Sequence, residues 1–229
     1  MQKSHFQRAK SIKQAVRTTP VMNSTLYYVH DPMCSWCWGF SASLGTLEAA
    51  LPDNIQMVRV LGGLAPDSDD PMPEGMQQML QQTWKQIETT IPGTRFNHDF
   101  WTKNKPRRST WPSCRAVIAA RKQDSALEVP MIRAIQEGYY LNAKNPSNTD
   151  VLTDIARQSG CDAEQFSEDL HSDKTRSALL SELQFSRELG VQGFPSLLLK
   201  TGQGQLFQLP VSYNDPKAML DQIEQTNLA

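Results

Sequence analysis

The sequence predicts an α/β fold in which a β-α-β unit and a later β-β-α unit are separated by a long helical segment. Three observations support this prediction. Two strand-like segments flank a helix-like one between residues 25 and 61. Apolar residues then recur at helical spacing as far as Gly190. Two further strand-like segments lie between residues 197 and 209, ahead of a final helix.

The composition is that of a folded globular chain. Of the 229 residues, 39% are hydrophobic and 21% are charged, which excludes a disordered or collagen-like protein. No stretch approaches the roughly 18 to 20 apolar residues that span a bilayer, so we expect no membrane association. The 23 basic and 24 acidic residues nearly cancel, which argues against nucleic acid as a partner.

The N-terminal residues differ in charge from the rest of the chain. Residues 1–21 carry five basic groups and no acidic group, which leaves 18 basic and 24 acidic groups, or −6, for the remainder. This segment lacks the apolar run of about 7 to 15 residues that a secretory signal needs. We interpret it as a disordered basic leader, with an organelle transit peptide or a translation start at Met22 as alternatives. The expected location is the cytoplasm, where paired cysteines are more often catalytic or metal-binding than structural.

The first unit contains two strands joined by a helix. Thr25–His30 is rich in β-branched and aromatic residues, which favours a strand. A helix from about Cys34 to Leu51 follows, with apolar residues at i, i+4, i+7 and i+11. Ile55–Leu61 alternates apolar with polar residues and predicts a second strand. The helical crossover is long enough to make these strands parallel.

The later segments complete the predicted domain organisation. Residues 67–190 form an all-helical insertion, in which Gly160 and Gly190 are suited to helix C-caps. Leu197–Lys200 and Leu206–Leu209 predict a hairpin. The final helix begins at Asp215-Pro216, as N-cap and first helical residue. Residues 22–66 and 191–229 are therefore predicted to form one domain around the insertion.

The segment Cys34-Ser35-Trp36-Cys37 carries the clearest chemical signal. It follows a predicted strand and begins a helix, where free N–H groups and the helix dipole stabilise a thiolate. The three-residue spacing brings Cys37 within reach of Cys34, so the second thiol can displace a substrate from the first. We expect an exposed Cys34 and a buried Cys37. This placement predicts disulfide exchange.

Two other interpretations of the cysteine pair have less support. Half of a zinc site would need two more ligands at comparable spacing, but Cys114 and Cys161 stand alone. We therefore predict no metal. The pair could also be packed in the core, as free cysteines often are. We interpret Cys114 as a core residue and Cys161 as a loop thiol.

Two segments resemble the DsbA/FrnE-like branch of the thioredoxin superfamily. They are Asp31-Pro32-Met33-Cys34-Ser35-Trp36-Cys37-Trp38-Gly39-Phe40 and Gly190-Val191-Gln192-Gly193-Phe194-Pro195-Ser196. The resemblance extends from about Leu26 to the C-terminus, including the helical insertion, and implies a thioredoxin-like fold. It also implies that Cys34 attacks, that Cys37 resolves the mixed disulfide, and that Pro195 is a cis-proline facing the dithiol.

The same resemblance implies where substrate binds. Ser35 and Trp36 lie between the cysteines, and Phe194, beside Pro195, would offer backbone hydrogen bonds to an extended substrate. The Ser35-Trp36 dipeptide contains no proline. In the family this dipeptide tunes the redox potential, so oxidant, isomerase and reductant all remain open.

The predicted function is that of a thiol–disulfide oxidoreductase or isomerase acting on protein or peptide thiols and disulfides. Its redox centre would be the Cys34–Cys37 disulfide, with no separate cofactor. One alternative is a glutathione-dependent transferase or isomerase acting on a small molecule, with glutathione as co-substrate. The resemblance implies that such relatives, the kappa-type transferases and chromene-carboxylate isomerases, usually carry serine at the position of Cys34. Another alternative is a non-catalytic chaperone or zinc-holding protein.

Other aromatic and basic residues are further candidates for binding. Trp36 and Trp38 could form an apolar lip for extended substrates, whereas Phe40 belongs to the apolar stripe of the helix. His30 could tune the dithiol, or it could equally be a residue at the end of the strand. A basic loop could bind the carboxylates of glutathione or an acidic partner, although charge runs are usually solvated. Its members are Lys103, Lys105, Arg107 and Arg108.

Overall fold

The computed structural model describes residues 23–227, so the predictions for the leader and for a start at Met22 lie outside the described residues. Within that range the four strands are β1 (Ser24–His30), β2 (Ile55–Leu61), β3 (Ser196–Lys200) and β4 (Leu206–Leu209). The α-helices of the same range are α1 (Ser35–Ala49), α2 (Glu74–Thr90), α3 (Phe100–Lys103), α4 (Trp111–Gln123), α5 (Glu128–Tyr140), α6 (Thr149–Gln158), α7 (Ala163–His171), α8 (Asp173–Glu188) and α9 (Pro216–Asn227).

The strands form one mixed sheet in the order β2-β1-β3-β4. β1 and β2 are parallel, with Val29 opposite Val60, because α1 carries the chain back across the sheet. β1 and β3 are antiparallel, with Val29 opposite Ser196. β3 and β4 form the predicted antiparallel hairpin. The predicted β-α-β and β-β-α units are therefore confirmed.

Each face of the sheet is covered by helices. On one face, Leu26 and Leu197 are fully buried beneath α1 and α9, together with Phe40 of α1 and Ile223 of α9. The core assignment of Phe40 is therefore confirmed. On the other face, the buried side chains of β1, β2 and β3 pack against Phe185 of α8. The sheet is thus buried on both sides, which holds the end of β1 and the start of α1 in a rigid setting.

Helices α2 to α8 occupy the segment predicted to be an all-helical insertion. A core cluster joins α4 to α8 and extends to Leu61 at the end of β2. Trp84 of α2 is the centre of a second group, here called the aromatic cluster. The rings within 6 Å of Trp84 are Phe96, His98, Phe100, Trp101, Tyr139 and Tyr140.

The helix ends follow the sequence signals closely. Gly160 and Gly190 have positive φ values of 90° and 78°, a conformation that suits glycine after a helix. The Asp215 carboxylate accepts a hydrogen bond from the Ala218 N–H at 2.9 Å, as an N-cap does. No helix among residues 23–227 is long and apolar enough to cross a membrane.

Candidate functional site

The start of α1 is built around Cys34. Cys34 is the N-cap residue, in an extended conformation, and its Sγ accepts a hydrogen bond from the Cys37 N–H at 3.4 Å. Its own N–H donates to the Asp31 carbonyl at 3.0 Å, which forms a tight turn after β1. A sulfur at an N-cap lies against the free N–H groups of the first helical turn. This is the placement that the sequence predicts.

The two thiols differ in accessibility, although less than the sequence suggests. Cys37 is fully buried, and Cys34 is only 6% exposed. The expectation of an exposed Cys34 is therefore wrong, because the helical insertion and the loop at Phe194 close over it. Cys34 lies in the wall of a cavity of about 240 Å³. This cavity, here called the Cys34 cavity, is lined by Met33, Cys34, Ser35, Trp36, Leu64, Met72, Leu80, Thr83, Trp84, Arg107, Arg108, Thr110, Tyr139 and Phe194.

The loop before β3 lies opposite the dithiol. The Phe194–Pro195 peptide bond is cis. The Cys34 thiol donates to the Phe194 carbonyl oxygen at 3.6 Å. The Phe194 ring occupies space that only a glycine at position 62 leaves free, since a Cβ on Gly62 would lie 2.0 Å from the ring. The structure thus brings Cys34, Ser35, Trp36 and Phe194 to one cavity. Pro195 is the next residue after Phe194 in the chain.

One wall of the Cys34 cavity is apolar and another is cationic. Leu80 and Trp84 of α2 contribute to the apolar wall, and Arg107 and Arg108 contribute positive charge. The Arg107 guanidinium is held by the Asn148 side chain at 2.9 Å and by the Ser147 carbonyl. Arg107 is therefore held by the protein and is not a freely solvated member of the basic loop. The position of Arg107 depends on partners about 40 residues away in sequence.

The two tryptophans that flank Cys37 have different surroundings. Trp36 is half-buried and packs on Tyr213, with ring centroids 5.2 Å apart. Trp38 is buried, its indole N–H donates to the Arg95 carbonyl at 3.0 Å, and its ring stacks on Tyr140. Trp38 therefore belongs to the interior, and Trp36 alone fits the predicted apolar lip.

Asp31 is a functional candidate that the sequence marks only as the residue directly after the first predicted strand. Its carboxylate is fully buried and accepts hydrogen bonds from the Met33 N–H, the Leu64 N–H and the Thr110 hydroxyl at 2.6 to 2.7 Å. The Cys114 thiol lies 3.6 Å from the same carboxylate. Burial raises the pKa of Asp31, and these hydrogen bonds oppose that rise. Asp31 thereby ties the Cys34 turn to the loop after β2 and to α4.

The remaining cysteines are both buried. Cys114 is fully buried in the core of α4 to α8, as predicted. Cys161 lies in the loop between α6 and α7, as predicted, but its thiol is buried in the same cluster. Its N–H donates to the Ala156 carbonyl, which closes a turn at the end of α6 and directs the side chain inward. Burial raises the pKa of both thiols, and for Cys114 the charge on Asp31 adds to the effect.

His30 is the last residue of β1, as one of the two interpretations has it, and it is fully buried. Its ring stacks on Tyr28 with centroids 4.8 Å apart, and neither ring nitrogen has a hydrogen-bond partner. Burial, reinforced by the charges of Arg59 and Arg121, lowers the pKa of His30 to about 3. The imidazole is therefore neutral at physiological pH.

We expect His30 to make the protein less stable in acid. As pH falls from about 6.5 to about 3, the unfolded chain takes up a proton on this ring that the folded chain does not. The free energy of unfolding should therefore fall with pH, by about 2 to 4 kcal/mol across this range. Urea denaturation at several pH values should show a shallower dependence in His30→Phe. The exposed His171, changed to Gln, is the control, and equal slopes in wild type and His30→Phe would contradict the expectation.

Two further observations limit where the chemistry can lie. A larger cavity, of about 790 Å³, opens between α1, the loop after α2 and Tyr213, and its lining contains neither Cys34 nor Cys37. Among residues 23–227, no group of three or more His, Cys, Asp or Glu side chains is arranged to hold a metal ion. Size alone therefore does not identify the site, whereas the dithiol does.

Comparison with known proteins shows the family to which the chain belongs. Residues 27–221 match the family model described as Thioredoxin. The chain belongs to this thioredoxin family, and its helical insertion and sheet are of the DsbA-like type. The resemblance found in the sequence is therefore confirmed.

Several individual proteins are similar to the chain. A curated relative from Halalkalibacterium halodurans, named ClpXP adapter protein SpxH, is 28% identical over 177 residues, covering 76% of this chain and 57% of the relative. A relative of the same name from Bacillus cereus is 33% identical over 175 residues, covering 75% and 58%. The chain thus spans less than two thirds of the length of these relatives.

Solved structures share the fold. A crystal structure from Nitrosomonas europaea has a TM-score of 0.78 at 24% identity, covering 90% of this chain and 98% of that one. Cytosolic disulfide reductase DsbM from Pseudomonas aeruginosa has a TM-score of 0.73 at 23% identity, covering 90% and 100%. The same protein solved with GSH has a TM-score of 0.71 at 22% identity, again covering 90% and 100%.

Proposed function

We propose that the protein catalyses thiol–disulfide exchange, with Cys34 as the nucleophile and Cys37 as the resolving thiol. One observation carries the proposal: Cys34 Sγ lies at the N-cap of α1, 3.4 Å from the Cys37 N–H, in the wall of the Cys34 cavity. The helix N-terminus favours the thiolate, which is the form that attacks a disulfide. The Cys37 thiol is one helical turn away and is buried, so it meets the substrate only through Cys34.

Two displacements complete the exchange. The Cys34 thiolate attacks one sulfur of the substrate disulfide, forms a mixed disulfide, and expels the other substrate sulfur as a thiolate. The Cys37 thiol loses a proton and attacks Cys34 Sγ, which releases the second substrate thiolate and leaves a Cys34–Cys37 disulfide. The dithiol thus loses two electrons and the substrate disulfide gains them. The reverse sequence oxidises a substrate dithiol.

The loop at Phe194 is proposed to hold the substrate chain. In the reduced protein the Phe194 carbonyl oxygen accepts a hydrogen bond from the Cys34 thiol, with the sulfur 3.6 Å from the oxygen. Once Cys34 is a thiolate or part of a mixed disulfide, that carbonyl is free to accept an N–H of an extended substrate. Ser35 and Trp36 then contact the substrate from the start of α1, and Pro195 places the carbonyl opposite them.

Glutathione is a second candidate substrate, and the cationic wall favours it. Arg107 and Arg108 line the Cys34 cavity, where guanidinium groups can bind the carboxylates of a small thiol. The similarity to DsbM, which has been solved with GSH, supports the same proposal. That relative is named cytosolic, which also supports a cytoplasmic location for this protein.

An adapter function is the alternative that the curated relatives favour. Their shared name describes them as adapters for ClpXP, so a non-catalytic protein-binding role can use the same fold. The presence of a free dithiol at a helix N-cap favours catalysis over this alternative.

Substitution of Cys37 by Ala should trap the substrate on Cys34. Without the resolving thiol the mixed disulfide persists, so the purified protein should carry covalent adducts visible on a non-reducing gel. Intact-mass spectrometry then distinguishes the candidates, since a glutathione adduct and a protein adduct differ greatly in mass. The additional Cys34→Ser change should abolish every adduct.

The same experiment separates catalysis from the adapter alternative. If Cys37→Ala carries no adduct of either kind, the exchange mechanism is wrong. Protein partners that bind equally to wild type and to the double variant, without a covalent link, would support an adapter.

A further inference from the structure

A second cavity, separate from the Cys34 cavity, reaches the resolving thiol. This cavity, here called the Cys37 cavity, has a volume of about 120 Å³ and lies between α1 and α5. Its wall includes Cys37, Tyr28, Glu48 and Arg59. The lining of the Cys34 cavity does not include Cys37. The two thiols of the pair therefore belong to two different cavities.

The separation of the two cavities matters for the proton that the Cys37 thiol must lose during the exchange. Cys37 attacks only as a thiolate, but burial raises the pKa of its thiol, and the hydrogen bond to Cys34 and the charge on Cys34 raise it further. When Cys37 must ionise, the bound substrate occupies the Cys34 cavity. The proton therefore needs another way out, and the ionised sulfur needs a hydrogen-bond donor within the protein.

Tyr28 is placed to be that donor. Its ring is buried and held between His30, stacked at 4.8 Å, and Phe40, at 6.0 Å. Tyr28 and Cys37 both line the Cys37 cavity, so the phenol and the resolving thiol belong to one small enclosed space. Burial raises the pKa of Tyr28, and the charges on Cys37 and Cys34 add to this, so the phenol keeps its proton and can donate it in a hydrogen bond.

Charged residues line the same cavity. Arg59 of β2 pairs with Tyr28 in the sheet register, and its guanidinium forms an ion pair with Glu48 of α1 at 2.5 Å. The Glu48 side chain is 38% exposed, so it connects the cavity to bulk water. Arg133 of α5 completes the charged lining. The other groups that act on Cys37 are Cys34 and Asp31.

We propose that Tyr28 is a catalytic residue for the second displacement, and that the Cys37 cavity is the route by which the Cys37 proton leaves. The Tyr28 hydroxyl donates a hydrogen bond to the sulfur as the thiolate forms. The proton passes to water in the cavity and then to bulk water past Glu48. The thiolate attacks Cys34 Sγ, and the departing substrate thiolate takes a proton from solvent. This inference rests on the proposed exchange function.

A single-turnover reaction tests the role of Tyr28. An aromatic disulfide whose thiolate product is coloured should release one thiolate when Cys34 attacks and a second when Cys37 attacks. Tyr28→Phe should slow the second release about 10- to 100-fold, the loss expected for a buried hydrogen bond to a charged group, and leave the first unchanged. Tyr27→Phe is the matched control, because Tyr27 lies on the opposite face of β1 against Phe185.

The outcomes distinguish failure of the proposed exchange function from failure of the proposed role of Tyr28. If wild type shows no first release, the exchange function itself fails. If both releases occur and Tyr28→Phe matches wild type in both, Tyr28 has no part in the second step. Glu48→Gln, on the partly exposed mouth of the cavity, gives an independent test should Tyr28→Phe fold poorly. It should slow only the second release, and an unchanged second release in that variant overturns the proton route.

Discussion

Changing Cys34 to Ser should lower the rate of disulfide exchange by at least about 1,000-fold, the largest effect expected of any single substitution. A serine hydroxyl at the N-cap can accept the Cys37 N–H as the thiol does, so the start of α1 should remain intact. It cannot form a mixed disulfide, and the buried Cys37 cannot reach a substrate directly. Reduction of a peptide disulfide, followed by loss of the substrate, measures the effect.

The other cysteines provide the control for this substitution. Cys161→Ala removes a buried thiol far from the Cys34 cavity, whose lining does not include it. It should retain exchange at close to the wild-type rate per folded molecule. If Cys34→Ser kept most of the activity while Cys161→Ala lost it, the identity of the nucleophile would be wrong.

Changing Asp31 to Ala should lower the free energy of unfolding by about 2 to 5 kcal/mol. The loss leaves the Met33 and Leu64 N–H groups without their acceptor, and each unsatisfied buried donor costs about 1 to 3 kcal/mol. The Thr110 hydroxyl loses less, because the Ala65 carbonyl lies 3.4 Å away as a second acceptor. Chemical denaturation of the wild type and the variant measures the change.

Two variants show whether the effect comes from these hydrogen bonds. Asp31→Asn keeps one acceptor oxygen and should lose less stability than Asp31→Ala. Asp70→Ala removes an exposed carboxylate from the same loop after β2 and should change stability by less than about 0.5 kcal/mol. Equal losses in Asp31→Ala and Asp70→Ala would show that the buried network contributes nothing specific.

The order of strands and helices is predictable from the sequence because it depends on local spacing. Strand segments of six or seven residues and the helical stripe from Phe40 to Leu51 are visible without any partner, and Gly160 and Gly190 mark helix ends. The short α3 was not predicted, since four residues are too few to show a helical period. The burial of Cys161 was not predicted, because the turn that buries this loop residue needs a hydrogen bond back to Ala156.

The candidate site was only partly predictable. Cys34 and Cys37 are adjacent in sequence to the strand and helix that position them, so their placement can be read locally. Arg107 is held at the Cys34 cavity by hydrogen bonds to Ser147 and Asn148. Contacts between residues this far apart in sequence cannot be predicted from a local sequence pattern. The sequence indicates Asp31 and Tyr28 only weakly as site residues. A carboxylate directly after an apolar strand, and a tyrosine on the inward face of β1, suggest buried polar groups without naming their partners.

The pairing of β1 with β3 has a consequence for how the protein is made. Val29 lies opposite Ser196, so the central strand gains its second neighbour only when most of the chain has been synthesised. At about 5 to 20 residues per second, roughly 10 to 30 s separate the emergence of the two strands. Throughout that interval the nascent chain carries Cys34 without the Phe194 loop that later covers it. The dithiol is thus most open to oxidants, and to wrong partners, before release from the ribosome.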